Sequence, residues 1–329
     1  MNTHSPTLSV RSNLGSALSR FGLPLALLAA IFFFSLLAPA FLRPDNIRSL
    51  LANNFALLAI AAIAMTLAIH NGGIDLSVAT AIDFASLTFV LAIVGGAGVP
   101  LAVLLAVASA LVCGVFNALL IAGLGITPFL ATLGTLFIGH SLQQLATNGG
   151  NPVYIPFSNV PPALQYLARG SVAGVPVSVV FVAILAVLIH ILLERTRFGR
   201  QSATIGVQPL LALYSGLPVG FTIAVVYVLV ASVAGTTGIF LSANVNAYMP
   251  FSGTAFLMNA IGAAYIGTTM SRTRLPNIAG TLTGVLFLAV VANGLLLVGW
   301  DFYWQQFGSG VAIFICLALT YGFQRTKNR

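Results

Sequence analysis

Continuously apolar stretches recur along the chain, broken by short polar or glycine- and proline-bearing segments. A helix needs about 20 apolar residues to cross a hydrocarbon core of roughly 30 Å. The pattern predicts ten such spans, over residues 21–42, 49–69, 75–95, 100–122, 127–147, 173–193, 218–241, 253–271, 277–298 and 305–323. None shows the period-two alternation of a barrel strand, so the spans are helices whose backbone groups are satisfied internally. The expected fold is therefore an all-α, polytopic membrane domain over 21–323, with polar tails at 1–20 and 324–329. The first run is long and followed at once by further spans, which reads as a retained helix and not a cleaved signal.

Composition agrees. Hydrophobic residues make up 59% of the chain and charged residues 5%, where a soluble domain carries about 25% charge. The net charge of +8 follows from orientation. With the N-terminus in the cytoplasm, Arg11, Arg20, Arg195, Arg197, Arg200, Arg272, Arg274, Arg325, Lys327 and Arg329 lie inside, and only Arg43, Arg48 and Arg169 outside. The basic balance thus needs no nucleic acid partner. Cys113 and Cys316 each sit inside an apolar run and read as packing residues, with neither a disulfide nor a metal site.

Internal symmetry is a further expectation. At an offset of 176 residues, "NALLIAGLGITPFLATLG" (117–134) faces "NGLLLVGWDFYWQQFGSG" (293–310), and Asp83 faces Asn259. Five spans separate the two copies, an odd number, which would invert the second relative to the first.

Polar residues inside the spans are the candidate chemistry. "IHNGGIDLSVATAIDFASL" (69–87) places Asn71, two glycines, Asp75 and Asp83 in an apolar surrounding. Gly72 and Gly73 weaken helix continuity. Asp75 falls where a helix would begin and reads as a cap at the membrane edge or as part of a pathway. Asp83 lies two turns deeper, where an aspartate costs about 2.5–3.5 kcal/mol, so it is expected to face a pathway or a buried partner. In "GITPFLATLGTLFIGHSLQQLATNGG" (125–150), Thr132, Thr135, Gly139 and Gln143 share one helical face. That face either packs on another helix or lines a hydrated path. Asn259 and Asn293 are the polar exceptions among later glycine-rich spans, able to bond another helix or a hydroxylated solute. His70 and His140 have no second metal ligand at a suitable spacing. No P-loop, zinc or serine-hydrolase motif occurs, which argues against an enzyme and against ATP or any other cofactor held by this chain.

Four of the few charged residues, Glu194, Arg195, Arg197 and Arg200, gather in the loop 194–217. Its segment "TRFGR" (196–200), followed by "ATIG" (203–206) and "SG" (215–216), joins "GGIDLSV" (72–78), "TPFLATLGT" (127–135), "IGTTM" (266–270), "NGLLLVG" (293–299) and "WQ" (304–305). In this order the motifs resemble the ribose-permease-like sugar permease subunits of bacterial ATP-binding-cassette importers, over about residues 40–323. The chain departs from that pattern at Ala79-Thr80, Gly139-His140, 205–208 and Asn259. The resemblance implies that Arg195, Thr196, Arg197, Phe198, Gly199, Arg200 and Gly206 couple the membrane domain to partner ATPase subunits, which consume the ATP. It also implies an external sugar-binding protein, a second permease copy or paralogue, residence in the bacterial inner membrane, and import of a monosaccharide or polyol. The residues read alone also admit a self-sufficient proton-coupled transporter with Asp83, Asp75 and His70 as relay. An amino-acid permease of the same architecture is a third reading.

Overall fold

A computed structural model describes the backbone of residues 7–271 and 275–325; of these, the side chains of 7–20, 159, 302, 316, 317, 319, 320 and 321–325 are not described. The chain runs through α1 (Thr7–Leu37), α2 (Pro44–Ser49), α3 (Ala56–His70), α4 (Val78–Val94), α5 (Val99–Ala118), α6 (Pro128–Ala146), α7 (Pro162–Arg169), α8 (Val177–Arg195), α9 (Arg197–Val207), α10 (Pro209–Tyr214), α11 (Val219–Val245), α12 (Ser252–Gly267), α13 (Ile278–Leu297) and α14 (Phe302–Arg325). Each of the ten expected spans falls on one of these helices. Pro44–His70, Val99–Gly123, Val177–Arg195, Val219–Val245 and Ile278–Leu297 are long and apolar enough to cross a membrane. The chain is a polytopic helical membrane protein.

Two boundaries move. The first helix begins at Thr7, inside the expected tail. It ends at Leu37 because Pro39 disfavours the helical conformation for the residue before it. The expected loop 194–217 is instead largely helical, as α9 and α10. Arg272, Arg274, Lys327 and Arg329 lie outside the described residues.

The chain divides into two compact units, one of residues 51–261 and the other of residues up to 50 and from 262. In the larger unit α3 is buried along its whole length, Ala56 through His70. The central α11 packs on α3, α4 and α5. Small residues set these close approaches. A Cβ on Gly238 would meet the Ile82 carbonyl of α4, and one on Gly114 would lie 2.7 Å from the Ala231 side chain. Without a water-driven hydrophobic effect between helices in lipid, such contact is what holds spans together. The segment between α6 and α8 takes part in two small antiparallel pairings, one of them with residues that follow α11. Val153 and Tyr154 pair with Tyr248 and Ala247. Ser171 and Val172 pair with Pro176 and Val175, across an Ala173-Gly174 turn with φ of 50° and 84°, the left-handed pair a tight hairpin favours.

In the smaller unit α1 packs on α13 and α14. The backbones of Gly267 and Gly280 touch, and Gly294 lies under the Phe34 ring. Asn277 caps α13, its Oδ1 accepting from Gly280 N at 2.7 Å.

Candidate functional site

The polar residues of the larger unit fall into three groups, all built on the segment between α3 and α4 and on α4 itself. The first is the end of α3. Gly72 takes φ +84°, which ends the helix, and residues 71–77 are not helical. α9 lies against this break. His70 Nε2 is 3.4 Å from the Gly199 carbonyl, and the Ser202 hydroxyl donates to Asn71 Oδ1 at 3.2 Å. A Cβ on Gly206 would lie 2.6 Å from the His70 carbonyl oxygen and 2.8 Å from Gly72 N.

The chain does not run straight from α8 into α9. The turn is at Thr196, which has extended backbone. Its hydroxyl donates to the Leu192 carbonyl at 2.6 Å and accepts from Gly199 N at 3.1 Å, so Thr196 caps α9. Gly199 is buried in the first turn of α9, where a side chain would strike the Leu192 and Leu193 carbonyls. Phe198 is half-buried. The exposed apolar residues are Val207 and, on α10, Leu210, Leu211, Leu213 and Tyr214. Arg195, Arg197 and Arg200 are exposed. Glu194 lies 3.4 Å from His190 on its own helix, and among the described residues no carboxylate pairs with the three arginines.

The second group is the start of α4. Asp75 is buried, and its Oδ1 accepts from Ser77 N at 2.9 Å and from Ser77 Oγ at 2.6 Å. Asp75 therefore takes up a free backbone N–H at the start of α4, as a capping side chain does, from a buried position, while Ser77 at the helix boundary makes no side-chain cap bond of its own. Ser77 Oγ accepts from Asn117 Nδ2 at 2.7 Å, and Asn117 Oδ1 accepts from Thr135 Oγ1 at 2.6 Å. Leu76 N donates to Thr132 Oγ1 at 3.1 Å. Asn117, fully buried, links α4 to α6; the repeat offset to Asn293 was its only mark in the sequence.

The third group lies further along α4. Asp83 Oδ1 accepts from Gly253 N at 2.8 Å and Ser252 Oγ at 3.1 Å. It caps the first turn of α12 from another helix. Gln143 Oε1 accepts from Tyr248 OH at 2.8 Å and Phe251 N at 3.2 Å. Asp83 Oδ2 and Gln143 Nε2 have no partner within hydrogen-bond distance. Thr80 Oγ1 and Thr254 Oγ1 are likewise unpartnered. A side chain at Gly139 would collide with Thr80. Two departures from the resembled pattern thus fit each other, a larger residue at 80 against none at 139.

Thr132, Thr135, Gly139 and Gln143 do share a buried face, and that face packs on α4. Asn259 is partly exposed and bonds the Ala255 carbonyl of its own helix at 3.2 Å. In the smaller unit Asn293 and Asn46 bond reciprocally, at 2.9 and 3.1 Å. The eight polar candidates are therefore spread over both units. Six of them, Asn71, Asp75, Asp83, Thr132, Thr135 and Gln143, stand in the larger unit on the segment between α3 and α4, on α4 and on α6.

The sequence matches the family model described as branched-chain amino acid transport system / permease component over residues 47–317. The chain belongs to this permease family. Among its curated relatives, the ribose import permease protein RbsC of Bacillus subtilis (strain 168) is 32% identical over 309 residues, 94% of this chain and 95% of that one. The autoinducer 2 import system permease protein LsrD of Salmonella typhimurium is 28% identical over 83% of each chain. That of Escherichia coli O9:H4 is 29% identical over 85% of this chain and 86% of its own. No solved structure matches. As a member of the permease family the chain is a transport component and not an enzyme.

Proposed function

We propose that the chain is the membrane-spanning subunit of an ATP-driven, binding-protein-dependent importer for a neutral, polyhydroxylated solute of sugar size. It works in the bacterial cytoplasmic membrane beside a second copy or a similar permease. The observation that carries the reading is α9–α10. This element offers Arg195, Arg197 and Arg200 without carboxylate partners, next to the exposed apolar residues of α10. Its other face is fixed to the break after α3. A basic and apolar surface of that kind suits a soluble partner that supplies carboxylates and an apolar cleft. The basic-residue orientation puts it in the cytoplasm, where ATPase subunits work. ATP is the partner's substrate; this chain holds no phosphate-binding loop.

The solute class rests on two supports. The relatives' names specify ribose and autoinducer 2. The described spans also keep their two aspartates buried and bonded, which leaves no charged pair to receive a zwitterion. Opposite the cytoplasmic face, residues 148–176 meet the end of α11 around a cavity of about 210 Å³ lined by Phe157, Gln165, Arg169 and Asn246. This is the side on which a solute-binding protein would deliver its cargo.

Proteoliposomes containing the chain, its ATPase subunits and its solute-binding protein test the reading. ATP-dependent uptake of labelled ribose or a related polyol is expected. Reversing two charges, Arg197→Glu with Arg200→Glu, should cut both ATPase association and uptake at least tenfold. Uptake by the chain alone, driven by a proton gradient, would overturn the assignment.

A further inference from the structure

α9 has two faces. Gly199, Ser202 and Gly206 stand at spacings of three and four and form the inner one; Arg197, Arg200, Thr204 and Val207 form the exposed one. The inner face does more than pack. His70, Asn71 and Gly72, three consecutive residues of the break, meet Gly199, Ser202 and Gly206 in turn. The break therefore runs along α9 for two turns, with backbone against backbone at Gly72 and Gly206, where each glycine leaves no room for a side chain on the other.

The same short segment is held at its far end. Leu76 N is bonded to Thr132 of α6, and Ser77 reaches Thr135 of α6 through Asn117 of α5. Between Gly72 and Leu76 there are only four peptide units, and the chain has no slack in regular helix to take up a displacement. A helix that touches a neighbour through flexible side chains can slide. One tied through hydrogen bonds and bare backbone to a short non-helical segment drags that segment with it, because packed protein contacts are discrete and not continuously deformable.

We propose that Asn71, Ser202 and Gly206 form a joint that carries displacement of α9 through residues 71–77 into α6. They are positioning residues, with Asn71 and Ser202 buried and Gly206 half-buried between α9 and the break, and they act by fixing where α9 pulls. The joint rests on the ATPase-coupled reading above, and the experiment separates the two.

The measurement is solute imported per ATP hydrolysed, in proteoliposomes with the ATPase subunits and the solute-binding protein. Asn71→Ala and Ser202→Ala should each lower this ratio about fivefold or more, while ATPase association stays at the unaltered level. The double variant should be no worse than either single one, since both remove the same bond. Ser202→Thr keeps the hydroxyl and should restore the ratio. Gly206→Ala, whose methyl would press on the His70 carbonyl, should lower it independently. Ser232→Ala, which removes a partly buried hydroxyl bonded to its own helix, should leave it unchanged and so separates a joint from general loss of packing. If the unaltered chain shows no ATP-driven import, the functional reading falls and the joint with it. If it imports, but Asn71→Ala and Ser202→Ala keep its import per ATP, the joint alone is overturned.

Discussion

The two aspartates of the larger unit make an instructive contrast. Asp75 and Asp83 sit eight residues apart, and both are almost wholly buried. Asp75 is satisfied twice over by Ser77, two residues on. Asp83 is satisfied from far along the chain, by Ser252 and Gly253, and one of its oxygens is left over. A locally satisfied carboxylate shapes a turn and moves with it. A remotely satisfied one holds two helices together, and its energy is lost whenever they part. The start of α4 is therefore a unit that can travel as a piece, and the middle of α4 is a clasp.

Breaking the clasp should have the largest effect. Asp83→Ala removes the carboxylate that accepts from Gly253 N and strands that donor in a buried site. An orphaned buried donor costs about 1–3 kcal/mol, more where the lost partner is charged. We expect about 3 kcal/mol, seen as a drop of several degrees in the thermal unfolding midpoint in detergent. Asp83→Asn keeps an acceptor for Gly253 and should recover more than half of the loss. Equal losses in the two variants would show that charge, and not the cap on α12, is what matters at this position.

Asn117→Ala attacks the other region from its far side. It removes the amide that joins Ser77 to Thr135 and leaves two hydroxyls to find new partners. Hydroxyls can rotate, so the expected cost is lower, about 2 kcal/mol. The discriminating readout is a midpoint shift smaller than that of Asp83→Ala.

How much of this contrast was legible in the sequence depends on the range of the interaction. The break at Gly72-Gly73, the buried face of Thr132, Thr135, Gly139 and Gln143, and the helical nature of each span all follow from local rules of conformation and periodicity. The pairing of Asp83 with Gly253, of Asn71 with Ser202 and of Asn293 with Asn46 joins residues more than a hundred positions apart, and no local rule reaches that far. Gly199 shows the same limit at short range. Nothing local marks its need, which is closeness to the carbonyls of the preceding helix and depends on the angle between α8 and α9. Thr80 and Gly139 stood out only as departures from a resembled pattern, and their fit to each other required the packing of α4 on α6.

That last pair gives a sharper test of the α4–α6 contact. Gly139→Ala should cost about 1–2 kcal/mol, the usual range for adding volume to a filled site. In a Thr80→Ala background the same change should cost less than half as much, because the side chain it would strike is shortened. Additive losses would place the strain elsewhere on α6.

The smallest effect belongs to Asp75→Asn. The amide oxygen can still accept from Ser77 N, and the neighbouring hydroxyl can turn to it. What is lost is the strengthening that a charged acceptor gives a hydrogen bond, which roughly doubles it relative to a neutral one. We expect a loss of about 1 kcal/mol or less and ATP-driven import within twofold of the unaltered protein. Because Asp75 lies within residues 71–77, the segment proposed to carry displacement of α9, an unperturbed import rate in this variant would mean that the turn's shape is what the joint requires, with the carboxylate charge dispensable. A collapse of import at unchanged stability would instead make Asp75 a participant in the transport cycle and erase its contrast with Asp83.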